Sequence, residues 1–274
     1  MSIKPASIKL LLSDIDGTLV RSDKTLSEGV VAAAGRLQAA GIAMSLISAR
    51  PPSGMLWIAE RLGLTTPVGA FNGGTVVGVD GTVLSTAYVP REVVLATLAL
   101  IDRPGVVTWV FAGGQWIAAR PDAEHDEHER RSVFVDPVYG GDVTPLLGMI
   151  DKIVAVVDDS ELMAQVEARV SAEVGNLATV VRSQSYYLDI TATAANKGDG
   201  IAALAAAYGV PLDQVAVIGD QRNDMAMFAR AGLSIAMAQG PQEVRDAAMM
   251  VTLDNDADGV AQAIDTILLP MLAH

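Results

Sequence analysis

Two carboxylates one residue apart, Asp14 and Asp16, end the apolar run Leu10-Leu11-Leu12-Ser13 and are followed at once by Gly17-Thr18. Alternate residues of a strand share a face, so both acids would point the same way if the strand continued. Gly17 marks a turn instead, which leaves Asp14 at the strand's carboxyl end and Asp16 on the loop beyond it. Acids placed there either hold a hard cation or divide the work of nucleophile and proton carrier. The same punctuation recurs along the chain. An apolar run over 42–47 stops at Ser48-Ala49-Arg50, another over 215–218 stops at Gly219-Asp220 with Asn223 and Asp224 close behind, and Lys197 opens a helix. Carboxylates gathered at one rim repel one another. Mg²⁺ relieves that repulsion, because it takes oxygen ligands and keeps room for water and a substrate phosphate. Lys197 and Ser48 would then meet the remaining phosphate oxygens.

Positioning these groups requires a frame in which strand ends converge. Apolar residues at helical spacing over 26–40, with Ser27 as N-cap and Gly41 past the end, predict a helix. A strand over 42–47, a helix over 53–62 and a third strand over 67–71, ending at Asn72-Gly73-Gly74, complete a βαβαβ pattern. That pattern implies a parallel sheet with right-handed crossovers, whose strand ends form the ligand rim. From about residue 76 the rhythm changes to hairpins around Asp80-Gly81 and Gly113-Gly114, which predict an α+β module with a largely antiparallel sheet. The βα alternation returns at Lys197. The expected architecture is an α/β doubly wound core made of residues 1–82 and 191–274, split by an inserted α+β domain at 83–190.

Composition narrows the chemistry. The 274 residues contain no cysteine, which removes disulfides, thiolate metal sites and cysteine catalysis, and fits a reducing compartment. A formal charge of −13 argues against nucleic acid and anionic membranes as partners, yet a bound cation and a few basic residues can still present a positive cleft to an anionic substrate. No stretch approaches the roughly 18 apolar residues of a membrane span, and the first nine residues are too short for a signal peptide. The expectation is a cytoplasmic protein acting on a small molecule.

The ordered set resembles the haloacid dehalogenase superfamily of phosphatases: Asp14-Ile15-Asp16-Gly17-Thr18 matches its first motif, Ser48 its second, Lys197 its third, and Gly219-Asp220 with Asn223-Asp224 its fourth. The large insert, Asn196-Lys197-Gly198 and the late stretch from Asp254 to Gly259 look like the Cof-type branch with a class II, subtype B cap. The resemblance implies roles residue by residue. Asp14 would attack phosphorus and form an aspartyl phosphate. Asp16 would protonate the leaving oxygen and then activate water, its backbone carbonyl helping Asp14 and Asp220 to hold Mg²⁺. Asn223 and Asp224 would orient metal waters or Lys197 from behind the ligands. Ser48, the amides of Ile15, Gly17 and Thr18, and also Ala49, Arg50, Asn72, Gly73 and Asn223 would meet the phosphate or the rest of the substrate. The implied activity is hydrolysis of a small phosphorylated metabolite, first of all a sugar phosphate, under a cap that closes to exclude water. A phosphomutase-type transfer on the same core and a catalytically idle metabolite-binding protein are the alternatives.

Two departures from the family pattern stand out. Ser48-Ala49-Arg50 replaces the usual Thr-Gly-Arg, and Gln239 stands where relatives carry Asn. Other residues read more simply. His125 and His128, one helical turn apart in a highly charged stretch, are expected on a solvated helix face rather than on a metal. Trp109, Trp116, Tyr186 and Tyr187 are expected in the core or rim of the inserted domain, and 254–258 as a turn that starts a helix.

Overall fold

The strand Leu10–Ser13 lies inside a five-stranded sheet, flanked by Val215–Gly219 and then Leu233–Ala236 and Met250–Val251 on one side, and by Ala43–Leu46 on the other. This computed structural model describes residues 8–272. All of these pairings are parallel, and Ser13 is in register with both Ile218 and Leu46. Helices account for the uninterrupted apolar strands, since a parallel sheet covered on both faces needs no polar side. Glu28–Ala39 starts where the Ser27 side chain accepts the amide of Val30. Lys197–Tyr208 starts where Asn196 accepts the amide of Asp199, and it stops at left-handed Gly209. The α/β doubly wound class expected from the sequence is the one observed.

One strand departs from expectation. Val68–Ala70, expected as a third parallel strand, pairs antiparallel with Thr75–Val77 and joins the main sheet through the parallel bridge between Ile47 and Gly69. The reason is a reversal at Phe71, Asn72 and Gly73, three consecutive residues with positive φ (48°, 58° and 88°). Gly73 is required there twice over: a Cβ would lie 2.3 Å from the Cα of Gly200. Apolar periodicity reports burial and says nothing of the direction of the neighbouring strand.

Close contacts divide the chain into two units. The first holds the chain up to Ala49, then Met55–Leu84, and Asn196 onward; the second holds Ser85–Ala195 together with Arg50–Gly54. The division differs from the expected 83–190 by a few residues at the junctions and by this five-residue segment, which the sequence reading kept in the core.

Within the second unit, six strands run in the order Ala178–Gln184, Tyr187–Ala192, Ile150–Val156, Val107–Ala112, Gln115–Ala118, Pro137–Tyr139, antiparallel except for the last pair. Helices Arg91–Ile101 and Ser160–Val174 share one apolar cluster with Val110, Ile153 and Leu188 of this sheet. The alternate residues Trp109 and Trp116 are fully buried with ring centroids 4.9 Å apart, so they belong to this unit's core. The charged stretch forms a helix, Ala123–Val133, but its histidines are not both solvated. His125 is buried, its Nε2 2.7 Å from Asp158 Oδ1, while His128 is exposed. Inward-facing residues of this helix include His125 and Asp126, so it carries no apolar stripe for the sequence to reveal. Among the described residues no helix is long and apolar enough to cross a membrane.

Candidate active site

Register brings the acids together. The amide of Asp14 donates to the Ile218 carbonyl across the two central strands, so the end of one strand delivers Asp14 and the end of the next delivers Asp220. One oxygen from each of Asp14, Asp220 and Asp224 lies within 4.8 Å of the others, and all three residues are buried. The close approach depends on glycines. Gly17 has φ +75°, and a Cβ on it would fall 2.4 Å from Asp220 Oδ2.

Lys197 is the counterweight. Only 1% exposed, it places Nζ 2.8 Å from Asp14 Oδ1 and 2.5 Å from Asp224 Oδ1. Asp224 is further committed, since its Oδ2 accepts the amides of Asp220 and Gln221, each at 2.8 Å. It therefore orients Lys197 and the Asp220 loop, and has little lone-pair capacity left for a metal. Asn223 beside it is exposed, so of the two residues expected behind the ligands Asp224 is the one in contact with Lys197 and the Asp220 loop. Thr18 was expected to meet phosphate. Its hydroxyl instead donates to Asp220 Oδ1 at 2.9 Å and its amide to the Ile15 carbonyl, because the turn that follows Asp14 folds Thr18 back against the neighbouring strand end. Ile15 itself is buried, and its carbonyl also accepts the amides of Leu19 and Val20.

Ser48, 1% exposed, is fixed through its backbone. Its amide donates to the Gly69 carbonyl, and its own carbonyl accepts the Asn72 amide at 2.6 Å. Asn72 and Gly73 thus support Ser48, and Gly73 packs on Gly200; the buried Asn72 Oδ1 has no hydrogen bond among the described residues. Ala49 is half-buried next to Ser48. Arg50 lies in the second unit, where Nη1 donates to the Gly54 carbonyl. The longer Gln239 reaches the Gly17 carbonyl with its amide group. Sequence reasoning missed Lys24, whose Nζ is 2.6 Å from Asp16 Oδ1 on the partly exposed loop.

Electrostatics describe a site short of positive charge. Burial pushes the Asp14 carboxyl well above its usual range; Lys197 opposes this, and Asp224 and Asp220 add to it. Burial, with the charge of Asp224, likewise raises Asp220 to about 6. For Lys197 burial favours the neutral form, but the charges of Asp14 and Asp224 outweigh it and hold the ammonium protonated. The donor set is all carboxylate oxygen, buried and under-compensated, which fits a hard divalent cation of the Mg²⁺ type.

A carboxyl raised in the folded state favours folding below its unfolded pKa and loses that contribution as pH rises through the folded value. Without a cation, Asp14 and Asp220 should therefore cost stability increasingly as pH climbs from the unfolded carboxyl range of about 4 through about 6, the value to which Asp220 is raised. Adding Mg²⁺ in place of EDTA is expected to raise the melting temperature more at about pH 7.5 than at about pH 5. A calorimetric gain equal at both pH values would count against a cation at these acids.

Known proteins share this fold. The model of the haloacid dehalogenase-like hydrolases matches residues 11–264. A putative phosphatase of Haemophilus influenzae is 25% identical over 261 residues, spanning 94% of this chain and 97% of its own. The 5-amino-6-(5-phospho-D-ribitylamino)uracil phosphatase YitU of Bacillus subtilis is 28% identical over 268 residues, spanning 96% and 97%. The crystal structure of a haloacid dehalogenase-like hydrolase from Bacteroides thetaiotaomicron superposes with a TM-score of 0.86 at 26% identity, covering 95% of this chain and 99% of that one. The chain belongs to the haloacid dehalogenase-like hydrolases. Within that family it is an enzyme of the phosphatase branch.

Proposed function

We propose that the protein is a Mg²⁺-dependent phosphomonoester hydrolase that acts in the cytoplasm on a small phosphorylated polyol or sugar, through a phosphorylated Asp14. The observation that carries this reading is the buried trio of Asp14, Lys197 and Asp224 beside Asp220: a carboxylate held by a fixed ammonium, at the end of the strand Leu10–Ser13. Lys197 occupies Asp14 Oδ1, so Oδ2 is assigned the attack on phosphorus. As the Oδ2–P bond forms and the ester P–O bond breaks, Asp16 gives its proton to the leaving oxygen. Asp16, now a carboxylate, takes a proton from water as that water attacks the phosphorus; phosphate leaves, and Asp14 and Asp16 return to their starting forms. Lys197 neutralises charge on the transferring group, and Ser48 with the loop amides after Asp14 binds its oxygens. Asp14, Asp220 and the Asp16 carbonyl would hold the cation, with Thr18 orienting Asp220. When bound, Mg²⁺ supplies the positive charge that keeps these carboxylates ionised and draws off charge from the phosphoryl group.

The substrate class rests on the Bacillus subtilis relative, whose name specifies a phosphate on a ribityl chain. The inserted unit is assigned the choice of leaving group. The test is a panel of sugar, polyol, nucleotide and pyridoxal phosphates assayed for free phosphate with Mg²⁺ and with EDTA. Polyol or sugar phosphates are expected to turn over fastest, and only with the cation. Isomerised substrate without free phosphate would replace hydrolysis by a mutase reaction, and silence across the panel would favour a binding protein.

A further inference from the structure

The loop that follows the proposed proton carrier is pinned in an unusual way. Lys24 has φ +69°, a left-handed conformation that a non-glycine residue keeps only where its surroundings impose it. The surroundings do impose it. Lys24 donates its amide to the Arg21 carbonyl at 2.8 Å, Arg21 donates to the Thr25 carbonyl at 2.9 Å, and Asp23 accepts both the amide and the hydroxyl of Thr25.

This turn is in turn fastened to a segment more than 230 residues away in sequence. Asp256 accepts the amide and hydroxyl of Ser22 at 2.9 and 2.8 Å, Arg21 pairs with Asp258 at 3.0 Å, and the Asn255 side chain donates to the Val20 carbonyl. Asp258 is itself left-handed, at φ +55°. Lys24 and Asp258, both left-handed, thus lie in the two segments that this clasp joins. From this turn Lys24 Nζ reaches 2.6 Å from Asp16 Oδ1, with both side chains about a third exposed. An exposed ion pair of this kind contributes little to stability, so stability does not account for building it on strained backbone.

We propose that Lys24 is the positioning residue of Asp16: its ammonium, on Oδ1, holds the carboxyl group that carries the proton to the leaving oxygen of the ester. The clasp of Asn255, Asp256 and Asp258 on residues 20–25 sets where that ammonium stands. The inference rests on the phosphatase reading above. It goes beyond that reading by adding a residue that touches neither phosphate nor cation and governs only proton delivery.

The leaving group separates this role from a structural one. A p-nitrophenolate leaves without a proton, whereas a sugar or polyol alkoxide needs one, and kcat/KM reports the steps up to departure of the leaving group. Lys24→Met is expected to lower kcat/KM on a polyol phosphate about tenfold or more and on p-nitrophenyl phosphate by less than about threefold, with KM little changed. Lys24→Arg, which keeps a cation at the same place, should restore most of the loss on the polyol ester. In an Asp16→Asn background the Lys24→Met change should add nothing further. Equal losses on both esters, no loss on either, or an arginine variant as slow as the methionine one would overturn the proposal. Failure of the phosphatase reading itself looks different: the unaltered protein would release no phosphate, or release would survive Asp14→Asn.

Discussion

Asp14→Asn is expected to lower phosphate release from any ester by about 10⁴-fold or more while leaving the fold intact. The change removes the attacking oxygen and substitutes a group that cannot form the covalent intermediate, so no other carboxylate in the trio inherits its role. Asp224 is spent on Lys197 and on two backbone amides. Asp220 is held by Thr18 at the end of the neighbouring strand. Stability should move the other way. The Asp14 carboxyl is raised by burial and by the charges of Asp224 and Asp220, which means that its ionised form is a burden at neutral pH in the absence of a cation. An amide of the same shape removes that burden, and Lys197 keeps Asp224 as its partner. The variant should therefore melt no lower than the unaltered chain in EDTA, and should gain less from Mg²⁺ because one ligand is gone. Assays of phosphate release beside calorimetry with and without Mg²⁺ read both quantities. Turnover within about tenfold of the original would remove Asp14 as nucleophile.

What the sequence made legible follows from what local patterns encode. Apolar strands that end abruptly in Asp14, Ser48 and Asp220 announce a parallel sheet and its polar rim, because burial on both faces leaves a strand no other way to show its end. The helix cap at Ser27 was readable for the same local reason. Contacts that close over long sequence distances left no such trace. Thr18 reads as a loop residue facing phosphate, and only the register of Leu10–Ser13 with Val215–Gly219 turns its hydroxyl to Asp220, 202 positions away. Lys24 carries no motif and went unread; its turn is held by Asp256 and Asp258, whose own stretch looked like a simple helix start. His125 deceived in the opposite sense, a charged segment suggesting solvent where the fold buries the ring beside Asp158. Arg50 sits one residue past the rim strand's last core residue, and no periodicity marks the point at which the chain changes unit.

Removing Lys197 should cost both the chemistry and the fold, which sets it apart from Asp14. Lys197→Met keeps the volume and length of the side chain but leaves Asp14, Asp220 and Asp224 buried without a protein cation. Stranding buried charge in this way typically costs about 3–5 kcal/mol. The deficit has a sign with pH. Without the ammonium, the carboxyls of Asp14 and Asp220 are pushed further above their unfolded values, so the loss is smallest in acid, where they are protonated in both states, and grows as pH rises toward neutrality. Mg²⁺ should recover part of the stability, because it supplies charge to the same acids, yet restore little turnover, since the ammonium that neutralises Asp14 and the moving phosphoryl group is still missing. Turnover is expected to fall by about 10²- to 10⁴-fold even in saturating Mg²⁺. The sharpest reading comes from combining the two changes. If Lys197 stabilises the fold by balancing Asp14 and Asp224, then Asp14→Asn with Lys197→Met should be more stable than Lys197→Met alone, because one of the stranded charges is gone. Strictly additive melting free energies would mean that the ammonium and Asp14 do not balance each other, and would leave Asp224 as the partner for which Lys197 is buried.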